Sequence, residues 1–218
     1  MKNKEEKKQK SFLRRSIENF WYYYKWPFLG GIVLFFAVLM AMTATTDISE
    51  PTDVDVVAVF ARPLTTQEFE FQSRLQGVVS DADGNGTATI GTEGFYISEQ
   101  GKSDNDSLAQ SKFETVMAYA QGDLVLMDGT NMKRFESKDL WTPLADYIDI
   151  SQIAKEDLYF RDGVAVGVRL SDSKVLLDMQ FIIDDVYAGI MFVPEETEEA
   201  AAPRRENAAK MIQELIKK

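Results

Sequence analysis

The chain of 218 residues contains neither cysteine nor histidine. Without cysteine there are no disulfides, no thiolate metal sites, no sulfur nucleophile and no lipid-modified cysteine. Without histidine, Ser-His-Asp and Cys-His catalysis are excluded, as is any zinc site of the usual ligand types. Basic residues are scarce beyond the first 25 positions. Lys2, Lys4, Lys7, Lys8, Lys10, Arg14, Arg15 and Lys25 crowd into that stretch against Glu5, Glu6 and Glu18, while the whole chain carries a net charge of −11. The remainder is therefore strongly acidic and repels phosphate backbones, so nucleic acid is not an expected partner. No internal repeat is present, and low complexity is confined to the charged tail. What remains is a 45% hydrophobic composition, which suits one domain with a core of its own.

One uncharged run stands out, WPFLGGIVLFFAVLMAMTATT from Trp26 to Thr46. As a helix it is long enough for a hydrocarbon layer of roughly 30 Å, so the sequence predicts a transmembrane helix over 26–46. The basic cluster precedes this run and Asp47, Glu50, Asp53 and Asp55 follow it, which by the positive-inside bias puts the N-terminus in the cytoplasm. Phe20 to Trp26 fits an interfacial aromatic belt. Leu13, Ile17, Phe20, Trp21 and Tyr24 recur at helical spacing, as in a segment lying along the inner interface. A cleaved signal peptide is the rival reading; the long basic region and the lack of an A-x-A pattern near Ala41 to Ala44 favour an uncleaved anchor. The expected organisation is a basic cytoplasmic tail (1–25), a transmembrane helix (26–46), a linker (47–53) and an extracytoplasmic α/β domain (54–218). This is a single-pass protein of the cell membrane with its C-terminal domain outside and the lipid bilayer as a partner.

Within the domain, Val54 to Phe60 is a β-branched run of the kind buried in a parallel sheet. Thr65 to Ser80 follows as an amphipathic helix with Thr65 or Thr66 as N-cap and Phe69, Leu75, Val78 and Val79 for the core. Asp81 to Gly86 is a turn, Thr87 to Ile97 a strand, Ser107 to Gln121 a helix and Asp123 to Met127 a third strand. Met132 to Phe135 makes a helical turn and Leu140 to Ile148 a compact apolar segment. Val164 to Leu170 and Val186 to Val193 read as strands, and Ser173 to Met179 is open between helix and strand. Glu195 to Glu199 reads as a solvated loop. A last helix starts with Pro203 at its first position and carries Ala208, Met211, Ile212, Leu215 and Ile216 as an apolar stripe. The β-α-β-α-β order predicts an α/β fold with a mainly parallel sheet and helices on both faces.

Several segments resemble extracellular solute-binding proteins of bacterial uptake systems. They are Gly122 to Asp128, Leu140 to Ile148 (LWTPLADYI), Asp162 to Leu170 (DGVAVGVRL), Tyr187 to Ile190, and Asn207 to Ile212. The resemblance covers most of residues 54 to 218 through short motifs. It implies a single lobe of the periplasmic-binding-protein type, whereas the family closes two lobes around its ligand and is secreted or held by a lipidated cysteine. A reduced, one-lobed relative on a transmembrane anchor is the expectation.

In open α/β sheets ligands sit beyond the carboxyl ends of the strands. That rule selects Arg62 and Pro63 after the first strand, Ser98 and Glu99 after the second, and Asp128, Gly129, Thr130 and Asn131 after the third. The plain alternative is that Pro63 and Gly129 shape loops while Arg62 and Asp128 pair on the surface. Asp81, Asp83, Asn85 and Gly86 match the first half of a calcium loop, but Thr92 stands where the twelfth-position glutamate belongs. No cofactor is expected, with weak calcium binding at Asp81, Asp83 and Asn85 the alternative to a simple turn. Gly101-Lys102-Ser103 lacks the earlier glycine of a phosphate loop. Asn85-Gly86-Thr87 and Asn105-Asp106-Ser107 are glycosylation sequons. The expected function is a membrane-anchored extracytoplasmic binding or accessory module without catalysis, recognising a small ligand or a membrane protein partner. The alternatives are a structural subunit of a membrane complex and, with least support, a carboxylate-dependent hydrolase of cell-wall glycan.

Overall fold

The structure is a computed structural model that describes residues 17, 20–38, 40, 52–64, 71–170, 172–179, 181 and 185–217. It divides into two compact units, Met1–Glu50 and Pro51–Lys218. In the first unit, residues 20–38 form a helix, α1. Its large apolar side chains are exposed all around, among them Trp21, Trp26, Leu34 and Phe35. The expected transmembrane helix over 26–46 is not recovered: among the described residues no helix is long and apolar enough to cross a membrane. The first turns of the helix include Tyr22-Tyr23-Tyr24-Lys25, which lowers its mean hydropathy, and residues 39 and 41–46 of the expected span lie outside the described residues.

The second unit is an α/β domain built on six strands: β1 (Val54–Phe60), β2 (Ile90–Tyr96), β3 (Leu124–Asp128), β4 (Leu158–Arg161), β5 (Val164–Arg169) and β6 (Val186–Ile190). Their order is β2-β1-β3-β6-β5-β4. The β2-β1 and β1-β3 pairs are parallel, as the helical crossovers require. The remaining pairs, β3-β6, β6-β5 and β5-β4, are antiparallel, so the sheet is mixed rather than mainly parallel. The cause lies in the connections. β4 and β5 are joined by Asp162 and Gly163, both at positive φ (51° and 82°), the geometry of a two-residue hairpin, and no crossover helix separates them. β4 was not anticipated, and the Asp-Gly pair is the signal that marks it.

Alternation along the strands supplies both faces. Val54, Val56, Ala58 and Phe60 of β1, with Leu124 and Leu126 of β3, join one buried cluster. Val57, Val59, Val125 and Met127 join the other. The first cluster is covered by α2 (Phe71–Leu75), α5 (Lys174–Asp178) and α6 (Glu195–Leu215) through Leu75, Leu176, Met211, Ile212 and Leu215. The second is covered by α3 (Asp104–Ala118) and α4 (Gly129–Arg134) through Phe113, Val116 and Met132. Phe95, Phe113 and Phe135 form a chain of rings with centroids 5.6 and 4.9 Å apart.

Three further expectations change. Ser173 to Met179 resolves as helix α5, because the Ser173 hydroxyl caps it by accepting the Leu176 amide at 3.3 Å. Glu195 to Glu199 is helical rather than a loop, and Pro203 lies inside α6 rather than at its start. Glutamate and alanine dominate residues 195–202 and are strong helix formers. The helix therefore extends past Pro203, whose missing N–H leaves the carbonyl of residue 199 without its intrahelical donor. Of the helix expected over Thr65 to Ser80, residues 65–70 lie outside the described residues, and 71–75 form α2.

Candidate functional site

The residues chosen from the sequence lie at the carboxyl ends of β1, β2 and β3, where Asp128 and Asn131 bond each other and Arg134 ties Asn131 to Ser98 and Glu99. Asp128 caps α4: its Oδ1 accepts the Asn131 amide at 2.8 Å, and its Oδ2 accepts the Ala61 amide at the end of β1. Asp128 is buried, at 7% exposure, and so is not half of a surface ion pair with Arg62. Asn131 is fully buried and accepts Arg134 Nη1 at 2.5 Å through Oδ1. Arg134 Nη2 crosses to the end of β2 and donates to the carbonyls of Ser98 and Glu99 at 2.8 and 3.0 Å. The Ser98 amide and hydroxyl donate to Asp106 at 2.7 and 2.8 Å. Asp106 also accepts the Ser103 hydroxyl and amide at 2.6 and 2.9 Å, completing a capping box at the start of α3. The Ser103 hydroxyl, the Ser98 amide and the other two donors hold the Asp106 carboxyl well below the usual carboxylate range.

Gly129 lets the Asp185 side chain come close: a Cβ there would stand 2.6 Å from Asp185 Oδ2 and would push that carboxylate aside. Its amide donates to the Asp185 carbonyl at 3.0 Å, and the Asp185 carboxylate pairs with Arg169 at 2.9 Å. Arg62 lies over the Phe181 ring at 5.9 Å and donates to the Pro63 carbonyl at 2.9 Å. Pro63 and Thr130 are exposed beside this network. Sequence reasoning missed Arg134 and Asp106, the two residues that tie the three strand ends together. The Ser103-x-x-Asp106 spacing is the one local signal that could have found Asp106.

A second polar assembly closes the opposite, amino ends of the same strands. Arg204 of α6 donates from Nη2 to Asp55 Oδ2 at 2.5 Å and from Nε to Asp123 Oδ2 at 2.9 Å. Asp123 also accepts the Asp55 amide at 2.8 Å. Burial pushes the Asp123 carboxyl up and outweighs the pull of Arg204. Beside it, Asp53 accepts the amides of Ala82, Asp83 and Thr89 at 2.6, 3.1 and 2.6 Å. Burial raises Asp53, but these amides and the Thr89 hydroxyl outweigh it and hold the carboxyl below its usual value. Asn207 of α6 reinforces the junction by donating to the carbonyls of Asp53 and Ser80.

For calcium, carboxylate oxygens of Asp53, Asp81 and Asp83 lie within 4.8 Å of one another. Asn85, the third residue chosen from the sequence, donates from Nδ2 to Asp83 Oδ2 at 2.8 Å. Asp81 accepts the amides of Gly84 and Gly86 at 2.6 and 2.7 Å. The turn therefore closes on its own donors. A groove of about 510 Å³ runs along α6, lined by Asp146, Tyr147, Glu206, Lys210 and Gln213 among others, and by none of the residues chosen from the sequence. Comparison with family models, curated proteins and solved structures finds no match to this chain.

Proposed function

We propose that the chain is a membrane-attached, non-catalytic accessory module whose domain, on the outer face of the membrane, binds a protein partner. One observation carries the reading. The apolar and aromatic side chains of α1 are exposed around its whole circumference, directly after a dense basic run. A helix apolar all round is a buried helix, and lipid or another helix is the cover it fits. The absence of catalysis is supported by the use of the buried carboxylates: Asp53, Asp106, Asp123 and Asp128 each already hold backbone amides or a guanidinium. A protein partner is favoured over a small ligand at the strand ends because that crevice is filled by the Asp128-Asn131-Arg134 chain. Vesicle flotation of the full chain against residues 52–218 tests the attachment: the full chain rises with vesicles and the domain alone does not. A full chain that stays at the bottom of the gradient overturns it. Crosslinking in membranes followed by pull-down then identifies the partner.

A second reading, a small polar ligand, rests on the groove beside α6. Thermal denaturation of the domain against sugars, amino acids and peptides tests it, since a ligand of the folded state raises the midpoint. No shift from any compound removes that reading.

A further inference from the structure

The exposed turn Asp81 to Gly86 gathers, around one side-chain amide, the groups that would activate it. Thr87 N–H donates to Asn85 Oδ1 at 2.9 Å and polarises that carbonyl. The next backbone nitrogen, that of Gly86, donates its hydrogen to Asp81 Oδ2 at 2.7 Å, so a carboxylate faces the proton that would have to leave. Asn85 Nδ2 donates to Asp83 Oδ2 at 2.8 Å. Gly86, at φ +91°, has no Cβ, and a Cβ built there would meet nothing within 4 Å. Nucleophile, base and electrophile are thus adjacent in an exposed segment.

We propose that Asn85–Gly86 is a site of self-modification, where the turn itself promotes conversion of Asn85 to a succinimide and then to aspartate or isoaspartate. The Gly86 nitrogen forms a bond to Asn85 Cγ while its proton passes to the Asp81 carboxylate. The Thr87 amide holds the oxyanion that develops on Oδ1, as backbone donors do in acyl transfer. The Cγ–Nδ2 bond breaks, and the departing nitrogen takes up the proton and leaves as ammonia. Water then opens the imide at either carbonyl and leaves a carboxylate at position 85. The product loses the donor that Asn85 offers Asp83 and adds a negative charge beside Asp53, Asp81 and Asp83. Asparagine is thermolabile in general; here the surrounding turn supplies the catalytic groups.

The test holds the full chain in detergent at mildly alkaline pH, in parallel with the same chain unfolded in urea. Digestion and mass spectrometry follow the exchange of NH2 for OH at each asparagine. Asn85 converts about tenfold faster in the folded chain than in urea, while Asn105, exposed on α3, shows no such gain. In folded Asp81→Asn, which keeps a hydrogen-bond acceptor but loses the base, the excess at Asn85 disappears. Conversion no faster in the folded chain than in urea overturns the proposal, and that comparison does not depend on the variant folding. An excess that survives in folded Asp81→Asn overturns the assignment of the base.

Discussion

At the carboxyl ends of β1, β2 and β3 the carboxylates accept backbone amides, and Arg134 donates to carbonyls and to Asn131. At the amino ends of the same strands Arg204 donates directly to the carboxylates of Asp55 and Asp123. The first closure is dipolar: several N–H and O–H groups point at Asp106, and backbone amides point at Asp128. The second is ionic, with one guanidinium serving two acids, one of them almost fully buried. A dipolar closure can lose one donor and keep the rest. An ionic closure that loses its cation leaves the buried Asp123 beside Asp55 with no countercharge.

The sharpest way to break this comparison is Arg204→Met. It should cost ~2–3 kcal/mol in urea unfolding, below the full cost of stranding a buried charge because Arg204 and Asp55 are each about one-third exposed. Adding Asp123→Asn should recover part of that loss, and a cost near zero for Arg204→Met would erase the ionic reading. Asp128→Ala removes a cap and the tie to Ala61, with an expected cost of about 1–2 kcal/mol by the same measurement. Ser103→Ala strips one donor from Asp106 and one cap from α3 and should cost about 1 kcal/mol.

Acid titration sharpens the contrast through opposite signs. Asp106 is held below its usual value of 3.8, so its stabilisation is complete above that pH and is lost as pH falls through the lower folded value. Asp123 is raised above 3.8, so the folded state favours its protonated form. That contribution is present below pH 3.8 and disappears as pH rises through the folded value. Stability measured against pH should therefore flatten on the acid side of 3.8 in Asp106→Asn and just above it in Asp123→Asn. The same response in both variants would show that the two ends do not differ.

The sequence made β1, β3 and β6 visible because each is a short apolar run, and the stripe of α6 because Ala208, Met211, Ile212 and Leu215 all fall on its buried side. Strand direction was not visible in the same way. An apolar run reads alike in both directions, and only the Asp162-Gly163 turn marks where the parallel pattern ends. The border of α3 was missed at Ser103 because Asp104 to Asp106 is polar, and the capping box rather than hydrophobic spacing sets that end. Sheet logic located the strand ends as the place where Ser98, Glu99, Asp128 and Asn131 meet. It could not show that they are consumed by each other, since Arg134 reaches Ser98 across 36 positions of chain.

The strand order carries a consequence for synthesis. β6 follows the other five described strands in the chain, yet it sits between β3 and β5 in the middle of the sheet. Until residues 186–190 leave the ribosome, β3 offers a bare row of amides and carbonyls along Leu124–Asp128, and the β4-β5 hairpin has nothing to dock against. Such an open edge is a template for pairing with other chains. Arg204 and Asn207 follow β6 in the chain, so the amino end of β1 gains these bonds only after β6 has been made. A frameshift near residue 185 would therefore leave the parallel β2-β1-β3 half complete in sequence but with the edge of β3 unpaired.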